Sequence, residues 1–228
     1  MIYLDSAATS FLKPPGVKAA MMYAMDTMSS PGRGAYNAAM HAADKVYECR
    51  ELACRLFNFD KPEHVVFTLN ATHALNIAIK TLARRESRVV ISGYEHNSVT
   101  RPLHEAGAKV SVAAGRLFDR NSALAAFEEK IPGADLVVCN HVSNVFGFIQ
   151  PVYEIAEMCS RYSVPLVIDA SQSAGIEDLD AERLNAVFIA MPGHKGLLGP
   201  QGTGILLCKT LPAPLMSGGT GSESIIQS

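Results

Sequence analysis

The sequence predicts a three-layer α/β/α domain around a mainly parallel seven-stranded sheet, and three observations carry that expectation. Seven short β-branched or apolar runs recur along the 228 residues, and continuous apolar runs of this length fit strands buried on both faces. Helical patterns separate several of them, and such alternation implies right-handed crossovers between parallel neighbours. The last two runs follow each other with little helix between, so an antiparallel member is expected there.

In chain order, two helical stretches come first, about 14–28 and 37–57, broken by Ser29-Ser-Pro-Gly-Arg-Gly34. The second carries Ala39, Ala43, Val46, Arg50, Ala53 and Phe57 near one face, a core-facing pattern. Together they form an N-terminal helical segment of about residues 1–60. The strand runs are 65–68, 88–92, 109–113, 135–139, 165–168, 186–190 and 204–208, with helices expected over 72–85, 122–130 and 151–162. After Cys208 the text becomes rich in Pro and Gly and ends in Ser217-Gly-Gly-Thr220-Gly-Ser-Glu-Ser. That ending has no core of its own and reads as a connection to a further part.

At this length a large core can be buried. A formal net charge of −2 argues against a general nucleic-acid or anionic-membrane binder. No apolar run is long enough to span a bilayer. The start, Met1-Ile-Tyr-Leu-Asp5, lacks the features of a secretory signal, which makes the cytoplasm the default compartment. The five cysteines, Cys49, Cys54, Cys139, Cys159 and Cys208, show no CxxC spacing and no zinc-type clustering with histidine. They read as structural thiols in a reducing compartment, and no metal site is expected.

Polar residues with chemical potential follow five of the strand runs. Lys195 stands between His194 and a glycine-rich turn, Gly-Leu-Leu-Gly-Pro-Gln-Gly-Thr-Gly204, where partial desolvation would lower an amine's pKa. Asp169 ends a buried strand, and a carboxylate there needs a cationic partner; a helix-capping role is its alternative. Asn70-Ala71-Thr72-His73 lies where a helix N-terminus would favour a phosphate, although Thr72 also reads as an ordinary N-cap. His96, in Glu95-His96-Asn97-Ser98, could lie flat on an aromatic ring and shuttle protons. Asn144 could donate to a ring oxygen or a substrate carboxylate, or serve only in a turn before Gly147. All five positions fall on the carboxyl edge of one sheet, where a doubly wound fold places its ligand. A carboxylate, an amide, an imidazole and a lysine gathered there suit a pyridine aldehyde held as a Schiff base, the demand made by pyridoxal 5'-phosphate (PLP).

Tyr3-Leu-Asp-Ser-Ala-Ala-Thr9, Pro31-Gly-Arg-Gly34, Asn70-Ala-Thr-His-Ala-Leu-Asn76, Glu95-His-Asn-Ser98, Val142-Ser-Asn144, Asp169-Ala-Ser-Gln172 and Gly193-His-Lys195 occur in this order. With them the chain resembles the class V, fold-type I PLP enzymes, and among those the cysteine desulfurase group. The resemblance implies the large domain of a PLP-dependent transferase, with Lys195 as Schiff-base lysine and Asp169 as partner of the pyridine nitrogen. It implies that Gln172 faces the ring's phenolic oxygen and that His96 stacks on the ring. Thr72 and His194 would hold the phosphate with the backbone of Ala71 and His73, Asn144 would sit near the ring oxygen and substrate carboxylate, and Ala7 and Ala8 would line the substrate side. Thr220 would reach the phosphate of a neighbouring subunit, since the family forms homodimers. Two positions depart from the pattern: His73 stands where glutamate is common, and Pro192 where a hydroxyl residue usually contacts the phosphate.

The implied reaction converts L-cysteine to L-alanine, passing sulfur to an enzyme cysteine and onward to an acceptor protein, as in iron–sulfur cluster assembly. The nucleophilic cysteine and the arginine that grips the substrate carboxylate belong to a small domain of the family. The chain therefore reads as the cofactor-binding large domain over residues 1–228, with the small domain missing after about 216–228. Another class V enzyme, such as a selenocysteine lyase or an aminotransferase, and a PLP-binding protein without turnover are the alternatives.

Overall fold

A computed structural model describes residues 2–218. Seven strands form one sheet: β1 (Val65–Thr68), β2 (Arg88–Ser92), β3 (Lys109–Ala113), β4 (Leu136–Asn140), β5 (Leu166–Asp169), β6 (Phe188–Pro192) and β7 (Gly204–Cys208). Their order across the sheet is β1-β7-β6-β5-β4-β2-β3. The neighbours from β6 to β3 pair in parallel, while β7 lies antiparallel between β1 and β6. The short connection before β7 thus marks the one reversed strand among those described.

The apolar runs are continuous because both faces of the sheet are covered. Along β4, Val137 and Cys139 point into one core layer while Leu136 and Val138 point into the other. The same alternation holds in β5, with Leu166 and Ile168 opposite Val167, and in β6, with Ile189 and Met191 opposite Phe188 and Ala190. The first layer is filled from α2 (Asn37–Phe57), α5 (Arg120–Lys130), α6 (Val152–Arg161) and the short α7 (Ala181–Leu184); the second from α3 (Ala71–Leu82) and α4 (Asn97–Glu105). β3, at the edge, keeps only Ala113 buried.

Three local expectations change. A helix beyond those expected follows β2: α4 begins at Asn97 and buries Val99, Pro102 and Leu103. Pro102 lies inside this helix, where it costs one backbone hydrogen bond, and the packing of its apolar face compensates. In α2 the buried stripe is Ala39, Ala42, Ala53, Cys54 and Phe57, so Ala43, Val46 and Arg50 sit at its margin rather than under it. Four cysteines are buried, but Cys49 is exposed, because it lies on the solvent side of that stripe. The first helix, α1 (Pro15–Thr27), buries no residue at all.

Candidate functional site

The carboxyl ends of β6, β5, β4 and β2, together with the turn after β1, surround a cavity of 270 Å³. This is close to the lower end of the ~300–1,000 Å³ typical of small-ligand sites. Its walls include Ala71 and Thr72 after β1, His96 after β2, Asn144 after β4, Asp169 and Gln172 at and after β5, and His194 and Lys195 after β6. Ala7 and Ala8 close another side. Because the contributing strands are adjacent and parallel, each sends its next few residues to one edge. A larger hollow of 490 Å³ lies between the end of α2 and α7, lined by side chains such as Arg55, Asp60, Glu182 and Lys209. It gathers charges of both signs around an apolar floor without a convergent chemical set, so size does not identify the site.

Asp169 is only 4% exposed. Its Oδ1 accepts from the Ser171 N–H at 2.9 Å and from the Ser171 hydroxyl. Burial pushes its pKa up, against those bonds and the nearby His96 and Lys195. Lys195 is half-buried, and desolvation lowers the pKa of its amine while the Asp169 charge works the other way. Its Nζ has no hydrogen bond among the described residues. A buried acid lacking a full counter-charge thus faces an amine biased toward its neutral, nucleophilic form. The turn carrying Lys195 is built on close backbone approach: a Cβ on Gly193 would collide with the Thr203 hydroxyl, and one on Gly196 with the Ala174 carbonyl.

His96 is the N-cap of α4. The Ser98 backbone N–H donates to its Nδ1 at 3.1 Å, and the Ser98 hydroxyl lies 2.8 Å from the same atom. A backbone amide can only donate, so the neutral ring carries its hydrogen on Nε2. His194 is fastened from the N-terminal segment: its carbonyl accepts from Lys13 Nζ at 2.9 Å and from the Thr9 and Ser10 hydroxyls, while its Nδ1 lies 3.0 Å from Thr9 Oγ1. Burial, followed by the charges of Lys195 and Lys13, lowers the His194 pKa. The same fastening brings Ala7 to the pocket, where its carbonyl accepts from Gln172 Nε2 at 3.0 Å.

At the start of α3 the Asn70 side chain, rather than that of Thr72, provides the cap, accepting from the His73 N–H at 2.8 Å. The amides of Ala71 and Thr72 have no partner among the described residues and face the cavity end of a helix dipole, which favours an anion. The His73 amide is already engaged, and its side chain accepts from the Leu69 N–H instead of lining the cavity. Thr220 lies outside the described residues. Asn140, Ser98 and Ser171 also line the cavity. Sequence reasoning passed over them; their neighbours Asn144, His96 and Asp169 were the available signal. None of the five cysteines lines it.

A family model described as aminotransferase class-V matches residues 2–227. A probable cysteine desulfurase from Methanothermobacter thermautotrophicus is 36% identical over 96% of this chain and 56% of its own length. The apo structure of a cysteine desulfurase from Thermococcus onnurineus NA1 superimposes with a TM-score of 0.83 at 34% identity, over 91% of this chain and 53% of that one. A structure of SspA in complex with cysteine gives 0.84 at 27% identity, over 96% and 65%. The chain spans about half the length of the curated relatives it matches.

Proposed function

The chain belongs to the aminotransferase class-V family, and from that premise we propose that it is the cofactor-holding part of a PLP-dependent cysteine desulfurase acting on L-cysteine. The observation that carries this reading is the meeting of the buried Asp169 with the desolvated Lys195 in one cavity. The residues fit the cofactor. The Asp169 carboxyl lacks a full counter-charge, which a protonated ring nitrogen would supply. The unpartnered amides of Ala71 and Thr72, with His194, suit a phosphate, and Pro192 lines the same cavity without offering a hydroxyl.

When bound, the cofactor supplies an electron sink for negative charge at the substrate's α-carbon. Lys195 would provide the amine that holds the cofactor's aldehyde, and its lowered pKa favours the neutral, nucleophilic form of Nζ. The Asp169 carboxylate would favour positive charge on the ring nitrogen. His96 offers a proton from Nε2, and Gln172 retains a second N–H beyond the one donated to Ala7. Asn144 is suited to orient a substrate carboxylate or the ring oxygen.

None of the five cysteines lines the cavity, and none has the lowered pKa that suits a sulfur acceptor. Burial pushes the thiols of Cys159 and Cys208 up to about 12, and raises those of Cys139, Cys54 and Cys49 as well. A nucleophilic thiol requires the opposite. The cysteine-bound structural neighbour supports the substrate assignment. The exposed Met21, Met22, Tyr23 and Met25 of α1 support a homodimer, which sedimentation would test; a monomer at micromolar concentration would overturn it. For the cofactor, adding PLP should produce a visible absorption band that Lys195→Ala removes. The same band in the variant would refute the assignment.

A further inference from the structure

Glu95 precedes His96, and no role proposed so far uses it. Its Oε1 accepts from the Asn140 N–H at 2.8 Å and lies 2.5 Å from Ser92 Oγ. Its Oε2 is buried without a partner. Ser92 Oγ also lies 3.3 Å from Asn140 Oδ1 and accepts from the Tyr94 N–H at 3.2 Å. Asn140 Nδ2 donates to the Tyr94 carbonyl at 2.7 Å, and the Tyr94 hydroxyl donates to the Gly115 carbonyl at 2.8 Å. The cluster ties the 93–96 segment to the ends of β2 and β4.

Counting hydrogens decides the state of the acid. Ser92 has one hydroxyl hydrogen and two acceptors in reach, Glu95 Oε1 and Asn140 Oδ1. With Glu95 ionised, one acceptor goes without, and a buried anionic oxygen is left bare beside Asp169, which is costly. With Glu95 protonated, Oε1 donates to Ser92 Oγ, Ser92 donates to Asn140 Oδ1, and Oε2 is left as a neutral carbonyl oxygen, far less costly to bury bare than an anionic one. We propose that Glu95 is held as the neutral carboxylic acid and is the positioning residue that fixes His96, leaving Asp169 as the anionic side chain of the cavity.

The electrostatic surroundings agree. Burial, with a smaller contribution from Asp169 on β5, holds the Glu95 pKa up at about 8 against the bonds from Ser92 and Asn140. Cys139 on β4 feels the charges of both Glu95 and Asp169, and beyond Asp169 stand His96 and Lys195, whose charges act on Asp169. Tyr94 and Ser92 complete the surroundings with hydrogen bonds.

The positioning role rests on the cofactor reading above; the protonation state does not, and the two are tested separately. In the cofactor-free chain labelled with carboxyl-¹³C glutamate, one resonance should titrate near pH 8 and be missing from Glu95→Gln. If every glutamate titrates in the ordinary carboxylate range, the proposal is wrong whatever the cofactor does. PLP affinity across pH then tests positioning. Where binding needs the protonated acid, wild-type affinity relative to Glu95→Gln falls toward about tenfold for each pH unit above that pKa. Glu95→Ala, lacking the latch, should bind more weakly than Glu95→Gln at every pH and more weakly than wild type below about pH 8. A constant wild-type-to-Gln ratio across the titration, or Glu95→Ala binding as wild type below that pH, would overturn the positioning role. Loss of the Lys195-dependent band would indict the cofactor reading instead, with the ¹³C titration standing.

Discussion

Replacing Glu95 with Gln should make the cofactor-free protein's stability less dependent on pH, and the size of the effect follows from one buried group. The folded-state pKa is raised from 4.5 to about 8, so between those values the unfolded chain has released a proton that the folded chain still holds. Stability then falls as pH rises through that window and levels off above it. At about 1.4 kcal/mol per pK unit, the full penalty is about 5 kcal/mol, of which about 3 is already present at pH 7. Glutamine carries no charge and escapes it. No single amide atom can both accept from the Asn140 N–H and donate to Ser92 Oγ, which costs about 1–3 kcal/mol, but that cost is independent of pH. Urea unfolding of both proteins from mildly acidic to mildly alkaline pH gives the difference directly. It should grow in favour of Glu95→Gln by up to about 1.4 kcal/mol per pH unit and flatten near pH 8. A pH-independent difference would show that Glu95 is ionised in the folded state and would refute the reasoning.

Two further outcomes follow from the same structure. Asn70→Ala removes the α3 cap and should cost about 1 kcal/mol in thermal unfolding; an unchanged midpoint would mean that a neighbour takes over the His73 amide. A small thiol reagent should modify Cys49 before the others in the native chain, slowly for a thiol of raised pKa, and reach Cys54, Cys139, Cys159 and Cys208 only on unfolding, since those four are buried. Two or more equivalents modified in the native chain would contradict the packing.

Strand and helix positions were legible in the sequence because they depend on local pattern. The continuous run ending in Ile168 needs both faces covered whichever strands lie beside it. The strand-end motifs were legible for a related reason: in a parallel sheet every crossover returns the chain in the same direction, so Asn70, His96, Asn144, Asp169 and Lys195 share one edge without knowledge of the strand order. Helix α4 was not legible, because Pro102 speaks against a helix locally and the compensation comes from the core beneath Val99 and Leu103.

The sequence by itself determined the layered fold, the edge carrying the chemistry and most side chains that meet there. Tertiary structure alone decided that Asn70 caps α3 in place of Thr72, that Ser98 sets the tautomer of His96, and that β7 is inserted between β1 and β6. It alone decided the state of Glu95, which in the sequence is an ordinary carboxylate beside a histidine. The reason is physical: a side chain's identity is local, but its charge depends on the water it loses and the hydrogens it meets. For Glu95 both are set by Asn140 and Asp169, distant in sequence and brought close by the pairing of β4 with β2 and β5.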